Sequence, residues 1–208
     1  MITELTIKNV RCFNELSLTN ITPVTLISGE NNIGKTALLE SIFLFLAYRL
    51  PDLFIQINNI RGIPSMVPAL PQGYFIGMEP LMPWETLFPD MDMTLKLNIS
   101  AKDDTGIANS VCFEKDTQLS VVQFAGQNNT NNMFQPVPGS YLLNVSYESN
   151  GEIKEKGHHA VTQNSLVLKL DKQSPRIFQP VAYIGPNDSF IQHPTAAWLG
   201  EVEKYNKL

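Results

Sequence analysis

The chain has 208 residues, with 15 Lys and Arg against 20 Asp and Glu, a net charge of −5 and a pI near 5.2. That length suits one domain, or one domain with an elaboration. The acidic balance supplies no chain-wide electrostatic footprint for nucleic acid, leaving only a local basic face for that purpose. Cys12 and Cys112 lie in strand-like runs without metal-type spacing, which predicts small buried side chains in a reducing cytoplasm. The N-terminus opens as a strand, with no basic stretch followed by an apolar run, so no secretory signal is expected. The one strongly apolar helix is too short for a membrane span.

Residues 2–8 alternate apolar and polar, the pattern of a half-buried strand, and 16–18 reads as its neighbour across a turn near Asn14. Residues 24–28, Val-Thr-Leu-Ile-Ser, form a short apolar run predicted as a third strand. Directly after it comes Gly29-Glu30-Asn31-Asn32-Ile33-Gly34-Lys35-Thr36, the full phosphate-loop pattern of Gly, four residues, Gly, Lys, Ser or Thr. Such a loop wraps backbone N–H groups around a phosphate, and only glycine at its tight positions avoids a Cβ clash. Lys35 is placed to reach the β- and γ-phosphates. Thr36 opens the following helix, where its hydroxyl can ligate Mg²⁺ beside the positive helix end. Residues 37–47 are the expected buried helix, so strand, loop and helix come in the order a nucleotide site requires.

Residues 51–92 are rich in Pro, Met and aromatics and hold no lasting helical or strand period, which predicts a mostly irregular insertion packed on the domain. From Met93 the pattern becomes β-like, with strands expected at 94–100, 110–114, 119–124, 141–148, 153–158, 165–170 and 177–184. Asn150-Gly151 is a hairpin turn between two of them. The polar run 127–132 reads as a solvated loop and 195–208 as the start of a helix capped by Thr195. His158 and His159 are adjacent, point to opposite faces of a strand and so do not share one ion. Asp90 and Asp92 could pair as carboxylates on an extended segment, but beside Pro89 they read as the exposed entry to a strand.

The opening 5–13, Leu-Thr-Ile-Lys-Asn-Val-Arg-Cys-Phe, followed by the phosphate loop with Asn31 at its third position, resembles the N-terminus of RecF, SMC and OLD-type ATPases. Val10 replaces the usual Phe. Residues 181–187, with Tyr183-Ile184-Gly185-Pro186, resemble the strand-to-lid junction of OLD-like defence ATPases. The resemblance implies an α/β P-loop NTPase, an ABC-type nucleotide-binding lobe with an antiparallel β-subdomain. Residues 1–208 would be a single ATP-binding lobe, with the insertion at 51–92, a β-rich part at 93–185 and a helical lid beginning at 195–208. It further implies ATP and Mg²⁺ as cofactors. Arg11, Gly29, Asn31, Asn32, Ile33, Gly34, Lys35, Thr36 and Ala37 would hold the nucleotide, Lys35 would serve catalysis, and Thr36 with Gln192 would serve the metal. Gln192 reads equally well as a surface glutamine.

Hydrolysis in such ATPases needs an apolar strand ending in Asp-Glu and a Ser-Gly-rich signature motif, and neither occurs in the sequence. Residues 166–171 come nearest, but Lys169 interrupts the run and Lys172 stands at the carboxylate position, so a plain strand is expected. The chain is therefore expected to be an N-terminal fragment of a longer cytoplasmic ATPase. Its whole would be a homodimer closing two heads around ATP, with a nuclease or other effector as partner, DNA as a further one, and no membrane. A nucleotide-binding interaction module without turnover is the alternative reading. A small-molecule kinase fits poorly with the β-rich second half and the four arginines Arg11, Arg49, Arg61 and Arg176.

Overall fold

In the strand Ile2–Val10 (β1) alternation sends Leu5 and Ile7 into the core while Glu4 and Lys8 face water, and Val10 joins the core after Asn9, at φ 56°, breaks the alternation. A computed structural model describes residues 1–63, 82–116, 141–161 and 166–171. β1 pairs antiparallel with Phe13–Leu18 (β2), and Lys8 opposite Glu15 forms a surface ion pair of 3.1 Å. The turn between them is Arg11-Cys12, ahead of the expected Asn14, with Arg11 in the left-handed region at φ 55°. Cys12 is consequently exposed, against expectation, and Cys112 is only partly buried: the first sits in a turn and the second points away from the core.

On its other side β1 pairs antiparallel with Leu97–Asp103 (β3), and the sheet continues through Ala108–Lys115 (β4), Leu143–Ser149 (β5), Glu152–Val161 (β6) and Leu166–Leu170 (β7). The order is β2-β1-β3-β4-β5-β6-β7, every neighbouring pair antiparallel. Asn150 and Gly151, at φ 51° and 78°, make the β5–β6 turn, the two positive angles a tight hairpin of this kind demands. The expected strands at 119–124 and 177–184, the loop 127–132, the junction 181–187, Gln192 and the helix 195–208 lie outside the described residues.

The helices Lys35–Ala47 (α1) and Leu53–Ile60 (α2) cover one face of the sheet. α1 buries residues around most of its circumference, Leu38, Phe43, Leu44 and Phe45 among them, as a helix that is apolar all round must. α2 corrects the expectation of an irregular segment at this position. Leu53, Phe54 and Ile57 share one face and are fully buried, and Gln56 Nε2 donates to Asp52 Oδ2 at 2.8 Å in the first turn. Phe54 anchors the packing, edge-on to Trp84 and Phe113 at 5.7 Å from each. Trp84, Leu87 and Phe88 of the same apolar insertion are buried too, each such side chain contributing roughly 1.5–3 kcal/mol by leaving water.

Residues 24–28 are not a strand. Val24 and Leu26 are 89% and 90% exposed, and the local bonds are a Thr22 hydroxyl to Val24 O at 2.7 Å and a Thr25 hydroxyl to Thr22 O at 3.0 Å. Apolar, β-branched composition favours extension, but a strand exists only where a neighbour takes its N–H and C=O groups. None of the described strands lies beside this segment.

Two polar groups are built into the core at the far side from β2. Glu155 of β6 accepts from the Tyr48 hydroxyl at 2.8 Å and from Arg49 Nε at 2.9 Å, fastening the end of α1 to the sheet. His159, fully buried, lies edge-on to Phe54 at 4.8 Å. Burial pushes its pKa from 6.5 to about 3. In the unfolded chain the imidazole binds a proton below pH 6.5, while in the fold it stays neutral, so its contribution is intact above that pH and erodes as pH falls. Linkage puts the loss at about 2 kcal/mol by pH 5. Between pH 7 and pH 5 the urea midpoint of wild type is expected to fall relative to that of His159→Leu, a substitution of similar volume. Parallel acid losses in the two proteins would refute the assignment.

Candidate nucleotide site

The phosphate loop ends where α1 begins, and its geometry explains its glycines. Gly34 caps the helix at φ 103°, ψ 6°, a conformation L side chains rarely adopt. A Cβ there would also come within 2.8 Å of Phe13 Cζ and 3.1 Å of Cys12 Sγ. The β1–β2 turn therefore presses directly against the loop. Leu38 N donates to Gly34 O at 2.9 Å, starting the helix, and the preceding amides have no carbonyl one turn back to bond. The first turn holds no acidic side chain, so the positive end of the helix dipole is uncompensated. Lys35 Nζ spans the loop, donating to Gly29 O at 2.7 Å and Glu30 O at 2.6 Å.

Beside this loop opens a cavity of about 820 Å³, within the size range of small-molecule sites. Asn31, Asn32, Gly34, Lys35, Thr36 and Ala37 line one side of it. Of the loop residues expected from the sequence, Gly29 and Ile33 are outside the lining, and Ile33 is exposed. Arg11, Cys12 and Arg61 form a second part of the lining, and Thr86, Phe88, Asp90 and Met91 a third. Arg61 and the residues of that third part come from the insertion and carried no recognisable signal beyond its apolar content.

Arg11 is held by a buried network. Glu40, one turn along α1 from Thr36 and 0% exposed, accepts from Arg11 Nε at 3.1 Å and from both Nε and a terminal nitrogen of Arg61, the latter at 3.0 Å. A second Arg11 nitrogen donates to Thr86 O, and Arg11 N donates to Leu87 O at 2.7 Å. The remaining Arg11 nitrogen, Nη2, is buried without a hydrogen-bond partner. Burial, opposed by Glu40, lowers the Arg11 pKa from its ordinary value, and a guanidinium stays charged all the same. Lys35, Arg11 and Arg61 against Glu40 and Asp90 leave the cavity with an excess of positive charge, although the chain is acidic.

Other residues of interest sit elsewhere. Asp92 is separated from Asp90: its carboxylate accepts from the Thr94 amide at 2.9 Å and hydroxyl at 2.6 Å, an ordinary turn, and those bonds lower its pKa. Asp171 follows β7, at the opposite end of the sheet from the β1–β2 turn, and its amide bonds Lys156 O at 2.8 Å. The run 166–170 is thus an edge of the described sheet and not a wall of the cavity. His159 enters the core while His158 lies on the opposite face. Among the described residues no three His, Cys, Asp or Glu side chains converge as a metal site, and no helix is long and apolar enough to cross a membrane.

The family model described as the AAA ATPase domain matches residues 1–172. Among curated proteins, the OLD nuclease of Thermus scotoductus is 35% identical over 86 residues, covering 36% of this chain and 16% of that protein. The match thus spans about a sixth of the relative's length. With the family pattern extending over most of the chain, phosphate loop and sheet included, this protein belongs to the AAA ATPase domain family.

Proposed function

We propose that the chain binds ATP with Mg²⁺ and that, in the whole protein, the nucleotide is hydrolysed. The observation that carries this reading is the glycine cradle at the start of α1, opening into a cavity lined by the cations Lys35, Arg11 and Arg61. Backbone amides from Gly29, Asn31, Asn32, Ile33, Gly34 and Ala37 would surround the phosphates. Lys35 would exchange its bonds to Gly29 O and Glu30 O for phosphate oxygens, and Arg11 would add a second cation. Thr36, at the helix end, fits the Mg²⁺ position, with Gln192 its proposed companion. Mg²⁺, when bound, neutralises charge between the β- and γ-phosphates. The protein's share is positioning and charge stabilisation by Lys35.

The finer reading follows the resemblance to RecF, SMC and OLD-type ATPases and the partial match to an OLD nuclease. Residues 1–208 would form one ABC-type lobe, with 51–92 elaborating the cavity, 93–185 the β-rich part and 195–208 the start of a lid. Two cytoplasmic copies would sandwich ATP and pass closure to a nuclease or other effector acting on DNA. One observation favours a second reading, a nucleotide-binding module without turnover: Asp171 ends a strand remote from the cavity. Titration of MgATP and assay of phosphate release, on this chain and on one extended through its downstream reading frame, separate the two. Turnover only in the longer form supports the ATPase, and binding without turnover in both supports the module.

Two variants test the parts. Lys35→Ala removes charge-assisted bonds to phosphate and is expected to weaken MgATP binding about 10- to 100-fold with the circular dichroism spectrum unchanged; unchanged affinity would sink the cradle reading. Glu40→Gln leaves two inward-facing guanidinium groups without their anion. A destabilisation of about 3–5 kcal/mol is expected in urea unfolding, whereas a loss under about 1 kcal/mol would show that the network is dispensable to the fold.

A further inference from the structure

The side of the cavity contributed by residues 86–91 is anchored firmly and then bent sharply. Trp84, Leu87 and Phe88 are buried, Asn58 Nδ2 donates to Pro83 O at 2.7 Å, and the Thr86 hydroxyl donates to Asn58 Oδ1 at 3.0 Å. On this footing the chain passes through two consecutive non-glycine residues in the left-handed region, Asp90 at φ 51°, ψ 22° and Met91 at φ 57°. Met91 N to Phe88 O at 3.1 Å and Asp92 N to Pro89 O at 2.9 Å close the turn. Such a conformation persists only where the surroundings enforce it, and it concentrates at ligand clamps. Here it sets an exposed carboxylate and a 54% exposed methionine in the lining of the cavity.

The chemistry of that pair is unlike the loop's. A polyphosphate is repelled by the Asp90 carboxylate and attracted by Lys35 and Arg11, so the charged end of a nucleotide lies toward the loop. What can rest beside Asp90 is the neutral end, whose ribose hydroxyls donate to a carboxylate. Met91 offers a polarisable thioether, which packs well against an aromatic ring. We propose that the Pro89–Asp92 turn is the nucleoside half of the site, with Asp90 accepting from the ribose hydroxyls and Met91 covering the face of the base. This rests on the reading of residues 29–36 as a triphosphate cradle. A thioether carries no donor pattern that distinguishes purines, so the Met91 contact serves adenine and guanine alike.

Calorimetric titration of the whole chain with MgATP, MgGTP, Mg-2′,3′-dideoxy-ATP and Mg-tripolyphosphate tests the proposal, with spectra verifying the fold of each variant. Met91→Ala is expected to weaken ATP and GTP about 2- to 10-fold, the range of sulfur–aromatic contacts, and to leave tripolyphosphate unchanged. Wild type is expected to prefer ATP over the dideoxy analogue, and Asp90→Asn, which keeps one accepting oxygen but loses the charge, to reduce that preference. The proposal is overturned if Met91→Ala spares both nucleotides or weakens tripolyphosphate equally, or if Asp90→Asn leaves the preference for ATP over the dideoxy analogue unchanged. Wild-type protein that binds neither ATP nor tripolyphosphate would overturn the cradle reading itself, a result distinct from any of these.

Discussion

A carboxylate without access to water organises one end of this molecule. Glu40 sits on α1 a turn beyond the phosphate loop, and its two oxygens satisfy guanidinium groups from the β1–β2 turn and from the residue after α2. Alone, any of the three charges would be strongly disfavoured at such a place. Together they are tolerable because each has geometry fixed by a different element. Arg11 extends the link, its side chain and its amide bonding the carbonyls of Thr86 and Leu87. Four segments far apart in sequence thereby meet around one side chain: β hairpin, helix, helix end and insertion. An apolar residue in place of Glu40 could fill the volume, but it could not set the direction of two cations at once.

The sheet positions the phosphate loop through a second, purely steric constraint. Phe13 begins β2, directly across the ladder from Val10, and its ring lies where a Gly34 Cβ would be. Register in the β1–β2 hairpin is therefore coupled to the conformation of the loop twenty residues later in the chain. A one-residue slip would turn Leu5 and Ile7 to solvent, and it would also move Phe13 off Gly34. Hydrophobic burial thus fixes the hairpin, and the hairpin holds the loop in the shape that exposes its amides. The opposite end of α1 is tied independently, by Tyr48 and Arg49 on Glu155.

What the sequence showed plainly was whatever is encoded locally. The phosphate loop was legible because the glycine spacing is itself the backbone geometry. β1, β4, β5 and β6 were legible because one face is buried and the other wet, and Asn150-Gly151 because its two positive φ angles favour those residues. α2 was missed since its buried stripe of Leu53, Phe54 and Ile57 is only two turns long and is followed by Asn58 and Asn59, residues with weak helix preference. Residues 24–28 were misread for the converse reason, extended composition without a neighbouring strand among the described residues. Arg61, Thr86, Phe88, Asp90 and Met91 could not be assigned to the cavity at all, because their placement depends on Glu40, Asn58 and Trp84, contacts that no period in the chain announces.

The charge distribution gains its meaning only in three dimensions. A net charge of −5 repels a nucleotide at long range, but the Debye length at physiological salt is about 8 Å, so most of that field is spent in the ionic atmosphere. Inside the cavity the nearby charges act at contact range, and Arg11 and Glu40, buried in its wall, act through a lower effective dielectric than bulk water. Lys35 and Arg11 then outweigh the distant carboxylates, and the helix amides add partial charges at contact distance. Composition alone, which offered no chain-wide footprint for nucleic acid, therefore speaks to large surfaces such as a DNA duplex and not to a site that meets one triphosphate. The same comparison assigns Asp90 its place: as an exposed carboxylate in the lining of a cationic cavity it weakens the attraction for phosphate locally, and a nucleotide that satisfies all the walls at once must present its charged end to the loop and its uncharged end to the turn.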